Sequence, residues 1–331
     1  MSRRLTTQPG PLDEMVGRQP TDLAFHTDSR TLVYLIHGVT GTPVEMGYLG
    51  RRLARHGWDV YATTLPGHCT RLRDLMRTSE EDWLTHVKAQ LAFVRERYDR
   101  LYVAGLSAGG LLALDSSLTV SVDGLGVFSP TFFYDGWKTP WTRALLPFVM
   151  EVAPLGYLLF HQDGPPFGIK ERRLQAHKRA SYGSVSLLRR WIMGVWTRMT
   201  HAADQAISAP LAATMGYPIF PLKTLTNIDR LSTLVRRRLG EVTAPTLILQ
   251  AREDDITGPR NGELVHNGIA SIRKRLILLD DCYHVITVDK QKKAVAGHLI
   301  EFFELQTSEE TEPQARMAEP SNMAALAAPL S

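Results

Sequence analysis

Residues 101–114 constrain the fold more than any other stretch of this chain. Two apolar runs, Leu101-Tyr102-Val103-Ala104 and Leu111-Leu112-Ala113-Leu114, flank Gly105-Leu106-Ser107-Ala108-Gly109. A strand that passes into a helix over so short a link needs a very tight turn. Glycines two residues to either side of the serine admit the crowded backbone. Such a turn lifts the serine hydroxyl clear of the sheet. It also sets the amide of Ala108 at a helix N-terminus, where it can stabilise developing negative charge. Ser107 is therefore the candidate nucleophile.

The surrounding pattern alternates strands and helices. Thr31–His37 is a continuous apolar run of the kind buried on both faces of a parallel sheet. A helix is expected over Val44–His56, ending near Gly57, followed by a strand at Trp58–Thr63. Ser79-Glu80-Glu81-Asp82 resembles a capping box, and Trp83, Val87, Leu91, Val94 and Tyr98 keep helical spacing behind it. Arg100–Leu106 and Val122–Phe128 are the next strands. The pattern resumes with a strand at Ala244–Ala251, a helix near Asn261–Ala270, a strand at Lys274–Asp280 and a closing helix over Asp289–Leu305. This predicts an α/β fold with a mostly parallel, doubly wound sheet built from 21–130 and 241–306.

Residues 131–240 break the pattern. They show no clear strand and offer aromatic, Met-rich helical segments with Trp137, Trp141, Trp191 and Trp196, punctuated by Pro165-Pro166. They read as an inserted helical cap. The segments 1–20 and 307–331 read as flexible tails, the latter from its Ser308-Glu-Glu-Thr-Glu-Pro run and its Ala/Pro/Met-rich end.

The formal net charge of +4 is unevenly spread: 131–240 carries +9 and the remainder −5. Arg189, Arg190, Arg236, Arg237 and Arg238 are placed to meet an anionic group or a lipid surface at the cap. No nucleic-acid motif accompanies this charge, so nucleic acid is not expected as a partner. Two cysteines, Cys69 and Cys282, cannot build a disulfide framework, and both are expected to be buried and inert. Residues 1–20 contain no apolar signal core. The longest apolar run, 144–160, is broken by Pro147, Glu151 and Pro154. A cytoplasmic protein is expected. No His/Asp/Glu cluster has metal-ligand spacing, so neither a metal nor a cofactor is implied.

A serine hydroxyl needs a base, and the base needs an acid that fixes its tautomer. In a sheet of this kind the partners follow in the order Ser, Asp/Glu, His, each just past a strand end. The strand closing at Ala251 delivers Glu253, Asp254 and Asp255; the strand closing at Asp280 delivers His284. His284 is the base by placement, whereas His298 falls on the closing helix. The local sequence leaves the acid open among Glu253, Asp254 and Asp255.

Six segments occur in order: His37-Gly-Val-Thr-Gly-Thr-Pro43, Leu65-Pro-Gly-His68, Glu81-Asp-Trp83, Gly105-Leu-Ser-Ala-Gly-Gly110, Gln250-Ala-Arg252 with Asp254, and His284-Val-Ile-Thr287. Together they resemble the bacterial carboxylesterase and monoacylglycerol lipase branch of the α/β-hydrolase superfamily, over about 30–130 and 241–305. The resemblance implies Ser107 as nucleophile, Asp254 as acid and His284 as base, with the amides of Val39 and Ala108 forming an oxyanion hole. His37 reads as structural. Cys69 and Tyr283 depart from the family pattern near the triad, and the cap is roughly twice the usual length.

The expected activity is hydrolysis of carboxylic esters, lipid-like or of medium chain, through an acyl-Ser107 intermediate. The alternatives are a thioesterase or acyltransferase on the same triad, or a non-catalytic ligand-binding protein of this fold.

Overall fold

The computed structural model describes residues 11–138, 160–182 and 209–317. Its main sheet has seven strands: β1 (Leu23–Phe25), β2 (Thr31–Ile36), β3 (Asp59–Thr63), β4 (Arg100–Leu106), β5 (Gly124–Phe128), β8 (Thr246–Ala251) and β9 (Lys274–Leu279). They lie in the order β1-β3-β2-β4-β5-β8-β9. Every neighbouring pair is parallel except β1 with β3. The central strands are apolar on both faces because helices cover both sides.

On one face lie α1 (Gly47–His56) and α9 (Lys292–Met317). Leu49, Leu53, Leu299 and Phe303 pack there against Val33, Tyr102 and Leu247. The Tyr102 and Phe303 rings stack at 4.1 Å. On the other face lie α3 (Glu80–Arg95), α4 (Ala108–Ser116) and α7 (Leu222–Arg238). The capping box expected before α3 is present, with Ser79 accepting from the Asp82 amide and Asp82 from the Ser79 amide.

Three expectations about the ends of the core are corrected. Leu12 and Met15 are buried in the main core, and Val16 accepts a hydrogen bond from Gln90 Nε2 at 2.7 Å, so residues 11–20 are not a tail. Helix α9 runs to Met317, past the expected end at Leu305 and into the segment read as flexible. Helix α7 falls inside 131–240, yet Ile228, Leu231 and Val235 are buried in the same core as Val103 and Leu111. Asp115 of α4, with no exposed side-chain surface, binds Lys88 of α3 at 2.6 Å and Arg238 of α7 at 2.7 Å. α7 is therefore a flanking helix of the sheet.

The inserted segment also contains strands. β6 (Phe160–Gln162) and β7 (Ile219–Pro221) form a separate antiparallel pair. Around them lie α5 (Arg172–Tyr182) and α6 (Ala209–Met215). Trp141, Trp191, Trp196, Arg189, Arg190 and most of 144–160 lie outside the described residues. No helix among the described residues is long and apolar enough to cross a membrane.

Candidate active site

Parallel strands end on one side of a sheet, and four of them deliver the site. Val39 follows β2, Ser107 follows β4, Asp254 follows β8 and His284 follows β9. Ser107 has φ 59° and ψ −123°, a strained conformation for a residue with a side chain. The close approach around it explains the glycines. A Cβ on Gly105 would lie 2.1 Å from the Gly109 carbonyl oxygen, and one on Gly109 would lie 2.5 Å from that of Ile36.

Ser107 Oγ is hydrogen-bonded at 2.7 Å to Thr131 Oγ1, just beyond the end of β5. Thr131 is 3% exposed. Nothing in the sequence singled it out, because its proximity arises only when β5 lies beside β4.

Of the three acidic residues left open by the sequence, Asp254 is the one that meets His284. Asp254 Oδ2 lies 2.9 Å and Oδ1 3.2 Å from His284 Nδ1. Its carboxylate also accepts the amides of Ile256 and Thr257, both at 2.8 Å, the Thr257 hydroxyl at 3.1 Å and Gln250 Nε2 at 3.0 Å. Glu253 points elsewhere, to Lys170 at 2.6 Å. Asp255 accepts the amide of Gly168 at 3.2 Å.

A carboxylate on Nδ1 places the proton there and leaves Nε2 as the basic nitrogen. Burial works against charge on His284. The charge and hydrogen bond of Asp254, helped by Asp255 and Glu45, outweigh it and raise the imidazole above its ordinary value. Asp289, fully buried, accepts the amides of Tyr283 at 2.8 Å, Lys170 at 2.8 Å and Glu171 at 2.9 Å. It thereby ties the residue before His284 to the insertion.

His37 lies beneath the site. Its Nδ1 lies 2.7 Å from the Gly38 carbonyl and its Nε2 accepts the Leu65 amide at 3.1 Å. Burial first, and then His68, push it down to about 3, so it is neutral and structural. Burial pushes both thiols up to about 12, as inert cysteines require. Neither Cys69 nor Tyr283 lines the cavity.

Ser107, Thr131, His284 and Val39 open into one cavity of about 490 Å³. Ala108 is buried at the first position of α4, where a helix amide has no intrahelical acceptor. Leu222, Leu225, Ile228 and Phe220 give the cavity an apolar wall. Glu45, Asp163, Lys138 and Lys178 add charge to it. Asp163 pairs with Lys178 at 3.1 Å, and the lysine lies 5.5 Å from the Tyr182 ring centre. Burial pushes Glu45 up to about 7 against the pull of Lys178 and His284.

These four charged residues carried no sequence signal, whereas the described arginines that did lie outside the cavity. Arg236, Arg237 and Arg238 do not line the cavity; Arg238 turns to Asp115, and Arg236 lies 5.9 Å from the Phe133 ring centre.

Comparison with known proteins places this geometry in a family. The model of the family described as serine aminopeptidase, S33, matches residues 27–291. A thermostable monoacylglycerol lipase of Bacillus sp. (strain H-257) is 25% identical over 271 residues, covering 82% of this chain and 89% of its own. A carboxylesterase of Bacillus subtilis (strain 168) is 23% identical over 273 residues, covering 82% and 92%. Among solved structures, a metagenome-derived lipolytic enzyme of the LipS and LipT study superposes with a TM-score of 0.65 at 25% identity, over 87% of this chain and 99% of its own. The monoacylglycerol lipase of Paleococcus ferrophilus superposes with a TM-score of 0.61 at 19% identity, over 86% and 98%. The chain belongs to the serine aminopeptidase S33 family and is a hydrolase of the α/β-hydrolase fold.

Proposed function

We propose that this protein is a serine ester hydrolase acting on neutral, lipid-like or medium-chain acyl esters through an acyl-Ser107 intermediate. The observation that carries the reading is that His284, hydrogen-bonded to the buried Asp254, opens into the same cavity as the strained Ser107 turn.

In this reading Ser107 Oγ leaves Thr131 and turns to His284 Nε2, which takes its proton as Oγ attacks the ester carbonyl carbon. The amides of Val39 and Ala108 receive the oxyanion. His284 then protonates the leaving alcohol, and a water activated by the same nitrogen releases the acid. Asp254 holds the imidazole and balances its charge.

The apolar wall of α7 suits an acyl chain. Glu45 and Asp163 face Lys138 and Lys178 across the polar part of the wall, so its formal charges balance and suit an uncharged polar group beside the acyl chain. The monoacylglycerol lipase and carboxylesterase named among the relatives support the same class. We read the described parts of 131–221 as the cap that shapes this cavity, and two free buried cysteines as consistent with a reducing, cytoplasmic setting.

The test is a panel of p-nitrophenyl esters of increasing chain length, with Ser107→Ala as control and a fluorophosphonate probe for labelling. Turnover that peaks at medium or long chains and falls by roughly 10⁴-fold or more in the variant is expected. Equal turnover in the variant, or no label on folded wild type, overturns the reading.

A further inference from the structure

Among the described residues, the insertion grips the loop after β2 at Thr40. Thr40 follows Val39 and has φ 69°, an unfavourable conformation for a β-branched side chain. Such strain persists only where the surroundings over-determine the backbone. Here both backbone polar groups of Thr40 are engaged. Its N–H donates to His68 Nε2 at 3.0 Å, and its carbonyl accepts the N–H of Tyr217 at 3.0 Å.

Each partner is itself fixed. His68 Nδ1 lies 3.1 Å from the Pro66 carbonyl, which sets the tautomer that leaves Nε2 free to accept. Burial pushes His68 down to about 4, so the acceptor stays unprotonated at neutral pH. Tyr217 is 1% exposed. Its hydroxyl donates to the Gly67 carbonyl at 2.8 Å and accepts the Thr70 amide at 3.3 Å. Gly216, with φ +78°, allows the approach: a Cβ there would lie 2.2 Å from the Thr40 carbonyl oxygen.

We propose that Tyr217 is a positioning residue that latches the insertion to the oxyanion loop, so that the Val39 amide is aimed at the reacting carbonyl only while the insertion is seated. The inference rests on the ester-hydrolase reading, in which that amide receives the oxyanion. When Tyr217 withdraws, the Thr40 carbonyl loses its donor and the strained residue relaxes. That relaxation turns the 39–40 peptide, and Val39 with its own N–H, one residue earlier in the same loop, shifts with it. The latch thereby couples occupancy of the substrate cavity, whose wall includes Tyr217, to the competence of the catalytic loop.

The test compares wild type, Gly216→Ala and Tyr217→Phe in the full chain. Each is assayed for kcat and KM on one p-nitrophenyl ester. Each is also titrated with two inhibitors of equal chain length. An acyl trifluoromethyl ketone adds Ser107 Oγ to its carbonyl and creates an oxyanion, whereas the corresponding methyl ketone binds without doing so.

Gly216→Ala is expected to lower kcat about 10- to 100-fold and to weaken the trifluoromethyl ketone by a similar factor. KM and methyl ketone binding should change less than about threefold. Tyr217→Phe keeps the backbone bond and should show the same pattern at about 3- to 10-fold, which serves if the alanine variant does not fold. Wild-type kcat and inhibition in either folded variant, or equal weakening of both ketones, overturns the latch alone. A wild type that the trifluoromethyl ketone does not inhibit overturns the functional reading and the latch with it.

Discussion

Ser107 Oγ and Thr131 Oγ1 are 2.7 Å apart, so the hydroxyl at the apex of the tight turn rests on the end of the neighbouring strand and not on His284. In the proposed mechanism the bond belongs to the resting arrangement, because there Oγ leaves it to give its proton to Nε2. Thr131→Val removes it without changing side-chain shape. A hydrogen bond of about 0.5–1.5 kcal/mol in the resting state alone corresponds to roughly 2- to 10-fold in rate. Faster phosphonylation of Ser107 is therefore expected in the variant, measured as the second-order rate constant with a fluorophosphonate. An unchanged or slower rate would mean that the bond survives into the transition state.

Asp254 receives donors from four residues including His284, so its position is set before any substrate arrives. Asp254→Asn would present an amide where Nδ1–H now donates and would favour the wrong tautomer. A fall in kcat of about 10³- to 10⁴-fold is expected, with little change in KM. Steady-state kinetics on the folded variant check this, and a loss under tenfold would remove Asp254 from the triad.

The pH dependence follows from two groups that share the cavity. His284 is raised above its ordinary value of 6.5, chiefly because Asp254 outweighs the effect of burial. Turnover should rise with pH through a midpoint above 6.5, as the base loses its proton. Glu45 contributes to that rise, so Glu45→Gln should move the limb to lower pH. Both groups bind protons more tightly folded than unfolded. The stability they contribute is lost as pH rises past 6.5 for His284, and as it rises from 4.5 through about 7 for Glu45. Melting temperatures should decline from pH 5 to 8, less steeply in Glu45→Gln. A limb that stays in place in that variant would show that Glu45 and His284 titrate independently.

Lys178 and Asp163 form an ion pair 14% and 25% exposed on the cavity wall. Lys178→Met strands the Asp163 carboxylate there and should cost about 2–3 kcal/mol in urea unfolding, below the figure for a fully buried pair. Adding Asp163→Leu should recover most of that loss, since the stranded charge is then gone. Equal stability of the single and double variants would place the cost in packing instead.

The parts of this molecule that could be read in advance are those encoded locally. Ser107, Asp254 and His284 each stand a few residues past an apolar run, and that placement is a property of neighbours in sequence. The bounds of β4 were legible for the same reason. β1 was missed because three half-buried residues pairing antiparallel with β3 leave no pattern of their own. Thr131, Glu45, Asp163 and Lys178 reach the cavity only through contacts between distant segments. Arg238 shows the converse. It read as a surface cation facing a ligand, but its partner Asp115 lies on another helix, 123 residues away. Choosing among Glu253, Asp254 and Asp255 required the turn at Ile256 and Thr257, whose amides face only one of the three.

The inserted segment leaves the main sheet after β5 and returns at β8, the strand beside it. Closing a longer loop between fixed ends costs only a logarithmic increment of chain entropy, so the sheet tolerates exchange of what lies between. Selectivity is in that sense transplantable: a chimera can carry a foreign wall on this catalytic base. The seam has a stitch near its end, however. A graft that rejoins the host before Gly216 keeps the glycine–tyrosine pair against Thr40, whereas one that rejoins after Tyr217 imports a new pocket and abandons the grip on the loop that must use it.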